Sequence, residues 1–69
     1  MCQAARKILS KNIKKYREKA KLTKEELSLS IGFDNSYISK LEKEKINTSI
    51  DTLEKIAKIL NIHIKNLFE

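Results

Sequence analysis

The sequence predicts an all-α fold, a compact bundle of five short helices, on three observations. The chain has 69 residues with one glycine and no proline, whereas β-hairpins and bulges lean on glycine's positive φ and on turn-setting proline. Its apolar residues recur at steps of three and four rather than two. Hydrophobic residues make up 41% of the chain and charged residues 35%, which supports a packed core in water without the run of about 18 apolar residues that a membrane span needs. A chain of this length is expected to form one domain, 1–69. It buries only about 60% of its unfolded surface, which leaves little room for a deep catalytic cleft.

The elements follow in order. Ala5, Ile8, Leu9, Ile13, Tyr16 and Ala20 form the apolar stripe of a first amphipathic helix, which ends near Lys21. Thr23 followed by Glu26 is a capping-box pair, so a second, short helix carries Leu27 and Ile31 on one face and stops at Gly32. Gly32 can enter the left-handed conformation that ends a helix without a Cβ penalty. Asp34 is a good cap for a third helix with Ile38 and Leu41 inward. Either Thr48 paired with Asp51, or Ser49, can cap a fourth helix carrying Leu53, Ile56, Ala57 and Leu60, which Asn61 can end. The fifth turn offers Ile62, Ile64, Leu67 and Phe68.

Charge points to a partner. Fifteen basic against nine acidic residues give +6, which favours an anion such as a nucleic acid. The charge is uneven: residues 1–24 hold nine Lys/Arg against Glu18 alone. Lys14, Lys15, Lys19 and Lys21 spread around the helix axis and cannot all face one partner, so they serve chiefly as steering charge.

The informative segment is Thr23 to Glu42, TKEELSLSIGFDNSYISKLE. Two short helices meeting at a glycine-containing turn, with one shared apolar side, describe a helix-turn-helix over 23–43. The second helix leaves Asn35, Ser36, Tyr37, Ser39, Lys40 and Lys43 on its free side. A helix of this width fits the major groove of double-stranded DNA, where Asn pairs with adenine and Lys donates to guanine. A solvated helix surface has a similar composition; the capping, the glycine placement and the charge favour DNA.

The stretch from Leu9 to Phe68 resembles the Cro/Xre family of helix-turn-helix DNA-binding domains. The likeness is carried by Ile13 to Arg17, by Leu22 to Leu27 (LTKEEL), by Gly32, by Tyr37 to Glu42 (YISKLE) and by Leu53 to Leu60. The resemblance implies a five-helix, lambda-repressor-like domain that binds operator DNA as a homodimer. It implies base reading by Asn35, Ser36, Tyr37, Ser39 and Lys40, and phosphate contacts by Thr23, Lys24, Lys43, Lys45, Asn47, Thr48, Ser49 and Thr52. It also implies that Arg17 pairs with Glu42, fixing the pose of the reading helix, an arrangement suited to guanidinium and carboxylate. Asp34 to Ser39, Asn47 and Ile50 to Ile56 are similar to controller proteins of restriction-modification operons, although YIS segments occur in other small Xre regulators. This chain departs from the family at Ser28, where Ala is usual, at Glu44, where Gly is favoured, and at Thr48, where Pro is favoured. A hydroxyl at 28 can bond back one turn at small cost. A non-glycine residue at a left-handed position is strained, so the Glu44 turn is expected to take another geometry.

Other chemistries lack parts. Cys2 and His63 are the only thiol and imidazole, too few for a zinc site. His63 between two isoleucines reads as a surface or capping residue rather than a catalytic one, and one glycine cannot build a phosphate loop, so no enzyme, metal, cofactor or small-molecule ligand is expected. One cysteine and no signal peptide point to the cytoplasm. The apolar residues Ile62, Ile64, Leu67 and Phe68 can cap the monomer's core or pair two subunits about a two-fold axis. The alternative function is an antitoxin or other protein-interaction module with secondary DNA binding.

Overall fold

The computed structural model describes residues 3–69; Met1 and Cys2, and with them the reading of Cys2, lie outside the described residues. Four α-helices run in chain order, α1 (Gln3–Lys19), α2 (Lys24–Ser30), α3 (Tyr37–Glu42) and α4 (Ile50–Ile59), followed by a 3-10 turn at Ile64–Phe68. Among the described residues there is no strand, and no helix is long and apolar enough to cross a membrane. The expected fifth helix is therefore corrected to a 3-10 turn. Five residues are too few to offset the cost of nucleating an α-helix. The turn is held instead by short local bonds, with the His63 amide donating to Asn66 Oδ1 at 3.1 Å and the Asn66 amide to the His63 carbonyl at 2.9 Å. From α1, Asn12 Nδ2 donates to the carbonyls of Leu67 and Glu69 at 3.0 and 3.1 Å.

The core collects the predicted apolar stripes: Leu9 and Ile13 from α1, Leu27 and Ile31 from α2 and its end, Ile38 and Leu41 from α3, and Leu53, Ile56, Ala57 and Leu60 from α4 and its end. Leu67 of the 3-10 turn is fully buried with them. Helix α3 packs between α1 and α2, while α4 packs on α2 and on the 3-10 turn.

All four helices stop in the same way. The residues Lys21, Gly32, Glu44 and Asn61 have φ of 60°, 87°, 60° and 58°. At each stop the amide of that residue bonds three residues back and the next amide five residues back; at α1, Lys21 bonds Glu18 at 3.0 Å and Leu22 bonds Arg17 at 3.1 Å. This is the Schellman motif, which satisfies the last helix carbonyls. The expectation for Glu44 is overturned, since the turn keeps the left-handed geometry with a glutamate in it. Two backbone bonds, at 3.1 Å from Glu44 to Leu41 and 3.0 Å from Lys45 to Lys40, outweigh the roughly 1–2 kcal/mol that a Cβ costs in that region.

The helix starts are less uniform. Thr23 and Glu26 form the expected capping box on α2, at 3.0 and 2.8 Å. Ser49 caps α4, accepting from the Thr52 amide at 3.1 Å. Asp34 does not cap α3 directly, because α3 begins two residues later than expected. Its carboxylate accepts from the Ser36 amide and hydroxyl and its carbonyl from the Tyr37 amide, closing a preliminary turn. The Ile38 amide in the first turn of α3 is taken instead by Ser28 of α2, whose fully buried Oγ accepts it at 2.9 Å while donating to the Lys24 carbonyl at 2.8 Å.

The other end of α3 is tied to α1. Arg17 Nε donates to Glu42 Oε2 at 2.8 Å and Arg17 Nη1 to the Leu22 carbonyl at 2.8 Å, with the two side chains 9% and 6% exposed. One guanidinium thus joins α1, the α1–α2 turn and the end of α3.

Three stability outcomes follow, each read as a urea midpoint. Ser28→Ala leaves the buried Ile38 amide without an acceptor and should cost about 1–3 kcal/mol, whereas a back-bonding role alone would leave the midpoint unchanged. Arg17→Ala strands a buried carboxylate and should cost about 3–5 kcal/mol, while Arg17→Met with Glu42→Leu should recover most of it. Glu44→Gly relieves the left-handed strain and should add about 0.5–1 kcal/mol after glycine's entropy is counted; a loss would mean that the glutamate side chain stabilises its turn.

Candidate nucleic-acid interface

The start of α2 and the outer side of α3 border one shallow concave surface, lined by Lys24, Glu25, Asn35, Ser36 and Ser39. This arrangement comes directly from the core. Burial of Ile38 and Leu41 turns the opposite side of α3 outward, and Leu27 with Ser28 turns the α2 start toward the same side.

The five expected base-reading residues separate into groups. Asn35 and Lys40 are exposed, and Ser39 is half-buried and lines the concave surface with Asn35. Ser36 is half-buried and its hydroxyl donates to Asp34 Oδ1 at 2.9 Å, which leaves it an acceptor. That bond, then the Ser36 amide, holds the Asp34 carboxyl below the usual carboxylate range, with the Lys40 charge contributing less. Asp34 therefore stays ionised beside the start of α3.

Tyr37 is the exception. Its ring stacks on Phe33 with centroids 4.1 Å apart and planes 10° from parallel, and its hydroxyl donates to Thr48 Oγ1 at 3.0 Å. The side chain is half-buried. Its one donor is thus directed into the protein, which corrects its placement among the base readers.

The expected phosphate contacts divide in the same way. Thr23, Lys43, Lys45 and Asn47 are exposed and Lys24 is half-buried, so each can reach a backbone. Thr48 is half-buried against Tyr37. Thr52 is 7% exposed and its hydroxyl faces that of Ser49 at 3.0 Å. Thr52 is therefore corrected to a buried cap partner, because the first turn of α4 closes over it.

Arg6 of α1, unassigned by the sequence, donates from Nη2 to Asn47 Oδ1. With its oxygen engaged, the Asn47 carboxamide has its N–H groups to offer, which suits an anion. No local pattern signals this contact, since the two residues lie 41 positions apart. The Phe33–Tyr37 stack did have a signal, two aromatic residues four positions apart.

On the far side of α4, Ile62 and Ile64 are half-buried and line a groove with Lys55, Ala57 and Lys58. Phe68 is 40% exposed, as is Ile59 at 42%. Leu67, expected in the same apolar patch, is fully buried in the monomer, so it is removed from any subunit interface. Among the described residues no group of His, Cys, Asp or Glu is arranged to hold a metal ion.

The likeness to known proteins agrees with this geometry. A family model for helix-turn-helix domains matches residues 13–67. An uncharacterised HTH-type transcriptional regulator of Archaeoglobus fulgidus is 39% identical over 56 residues, covering 81% of this chain and 79% of that protein. Control protein C.SmaI of Serratia marcescens is 32% identical over 62 residues, covering 90% and 74%. The crystal structure of the restriction-modification controller protein C.AhdI from Aeromonas hydrophila superposes with a TM-score of 0.86 at 28% identity, covering 94% of each chain. With its helix-turn-helix motif and a family match across most of its length, this chain belongs to the Cro/Xre-type helix-turn-helix family of DNA-binding transcription regulators.

Proposed function

We propose that the protein binds an inverted-repeat operator as a homodimer and acts as a controller of a restriction-modification operon. The observation that carries the DNA-reading part is the outer side of α3. Lys40 stands exposed there, on a helix whose opposite side is locked into the core, and Asn35 stands exposed in the turn before the helix, beside the start of α2. Asparagine can bond adenine bidentately and lysine can donate to guanine in the major groove. In this reading Thr23 and Lys24 on one side and Lys43, Lys45, Asn47 and Thr48 on the other hold the flanking phosphates.

The controller reading is supported by the similarity to C.SmaI and C.AhdI. The dimer reading is supported by the apolar patch of Ile62 and Ile64, which line a groove beside α4, and by the exposure of Phe68 and Ile59. A two-fold axis through that patch would present two reading helices to successive major grooves, roughly 34 Å apart.

Alanine substitution separates the roles. Asn35→Ala and Lys40→Ala should each cost about 1–3 kcal/mol on the operator and relax base preference. Lys24→Ala should weaken binding to all duplexes alike and lower the salt slope by about one. Fluorescence anisotropy on operator and random duplexes checks this, and equal losses on both for all three variants would sink the assignment. Phe68→Glu should shift the protein toward monomer in sedimentation equilibrium.

A further inference from the structure

The loop between α3 and α4 has to keep Asn47 and Thr48 in place, yet nothing in its covalent structure restrains it. Lys45 to Ser49 contains neither proline nor glycine, and the loop begins at a residue with φ of 60°. Tyr37 supplies a restraint from outside. Its ring is held flat against Phe33, which fixes where its hydroxyl lies, and that hydroxyl donates to Thr48 Oγ1 at 3.0 Å. At the neighbouring position Arg6 of α1 holds Asn47. The loop is therefore gripped at consecutive residues by two helices.

We infer that Tyr37 is a positioning residue for the backbone-gripping loop: it fixes Thr48 relative to the reading helix and so couples the phosphate contacts to the pose of α3. This rests on the DNA-binding reading above. A tyrosine at this point of a reading helix would ordinarily be assigned to a base. Here its donor is occupied within the protein and its ring is covered on one face, so it acts through Thr48. The hydroxyl of Thr48 has one proton and two lone pairs; accepting from Tyr37 leaves that proton for a phosphate oxygen. Tyr37 thus fixes both where Thr48 lies and which way it donates.

The test uses Tyr37→Phe, which keeps the stack and removes only the hydroxyl. Affinity should fall about threefold to tenfold, the range for one net hydrogen bond, equally on operator and random duplex and with base preference unchanged. In a Thr48→Val background the same substitution should change nothing. In the free protein, the 15N heteronuclear NOE of residues 46–48 should drop in Tyr37→Phe. Altered base preference, an undiminished effect in the Thr48→Val background, or an unchanged NOE would each overturn the assignment. Wild-type protein that binds neither duplex would instead bring down the DNA reading, and with it any role of Tyr37 in the grip.

Discussion

The second helix of the helix-turn-helix, α3, has six residues, Tyr37–Glu42, and an isolated helix shorter than about 12–15 residues is marginal in water. Its conformation and its pose must therefore come from outside. Three anchors supply them: burial of Ile38 and Leu41, the Ser28 hydroxyl on the Ile38 amide, and the Arg17 guanidinium on Glu42. The first sets which side faces out, the second holds the start, and the third holds the end. Each anchor comes from a different direction, so the helix cannot rotate or slide without losing one of them. The rigidity of α3 is thus a property of α1 and α2 more than of α3 itself.

The Ser28 anchor also accounts for the start of α3. Asp34 looks like a cap in the sequence, and in a longer helix it would serve as one. Here the preliminary turn at Asn35 and Ser36 consumes its carboxylate, and the true orphan amide lies deeper, where only a neighbouring helix can reach it. A serine amid apolar positions reads as a tolerated substitution when considered alone. It becomes structural once α2 and α3 are packed, because its two hydrogen-bonding partners lie 4 positions back and 10 positions ahead.

Locally encoded features were legible in the sequence: the four α-helices and their inward faces, the capping box at Thr23, and the stops at Gly32 and Asn61. Periodicity and side-chain chemistry within a few residues determine them. The left-handed stops at Lys21 and Glu44 were not legible, because neither residue type favours that region and the gain comes from backbone bonds any residue can make. Within the site, the exposed position of Lys40 follows from helical periodicity, whereas Asn35 is exposed in the turn before α3. Tyr37 and Leu67 are drawn inward by partners across a loop or across the core, and spacing along the chain carries no record of those partners; Thr52 is buried in its own cap, three residues from Ser49. Arg6 on Asn47 is the same case in reverse.

The withdrawal of these hydroxyls inward has an energetic consequence. Tyr37 has its donor engaged and so does Ser36, while Thr52 is buried. In the proposed reading, base contacts fall mainly to Asn35 and Lys40, with Ser39 lining the same concave surface as Asn35. A well-formed bidentate base contact discriminates by about 1–3 kcal/mol, so two such residues supply roughly 2–6 kcal/mol per copy. Specific sites are typically preferred over random DNA by about 4–10 kcal/mol. One copy reaches the lower part of that range once its two contacts average about 2 kcal/mol, and cannot reach the upper part. Two copies on a repeated half-site double the sum and reach it with ordinary contacts. The small number of side chains left free to read thus favours the proposed dimer on grounds separate from the apolar surface that would join the two subunits.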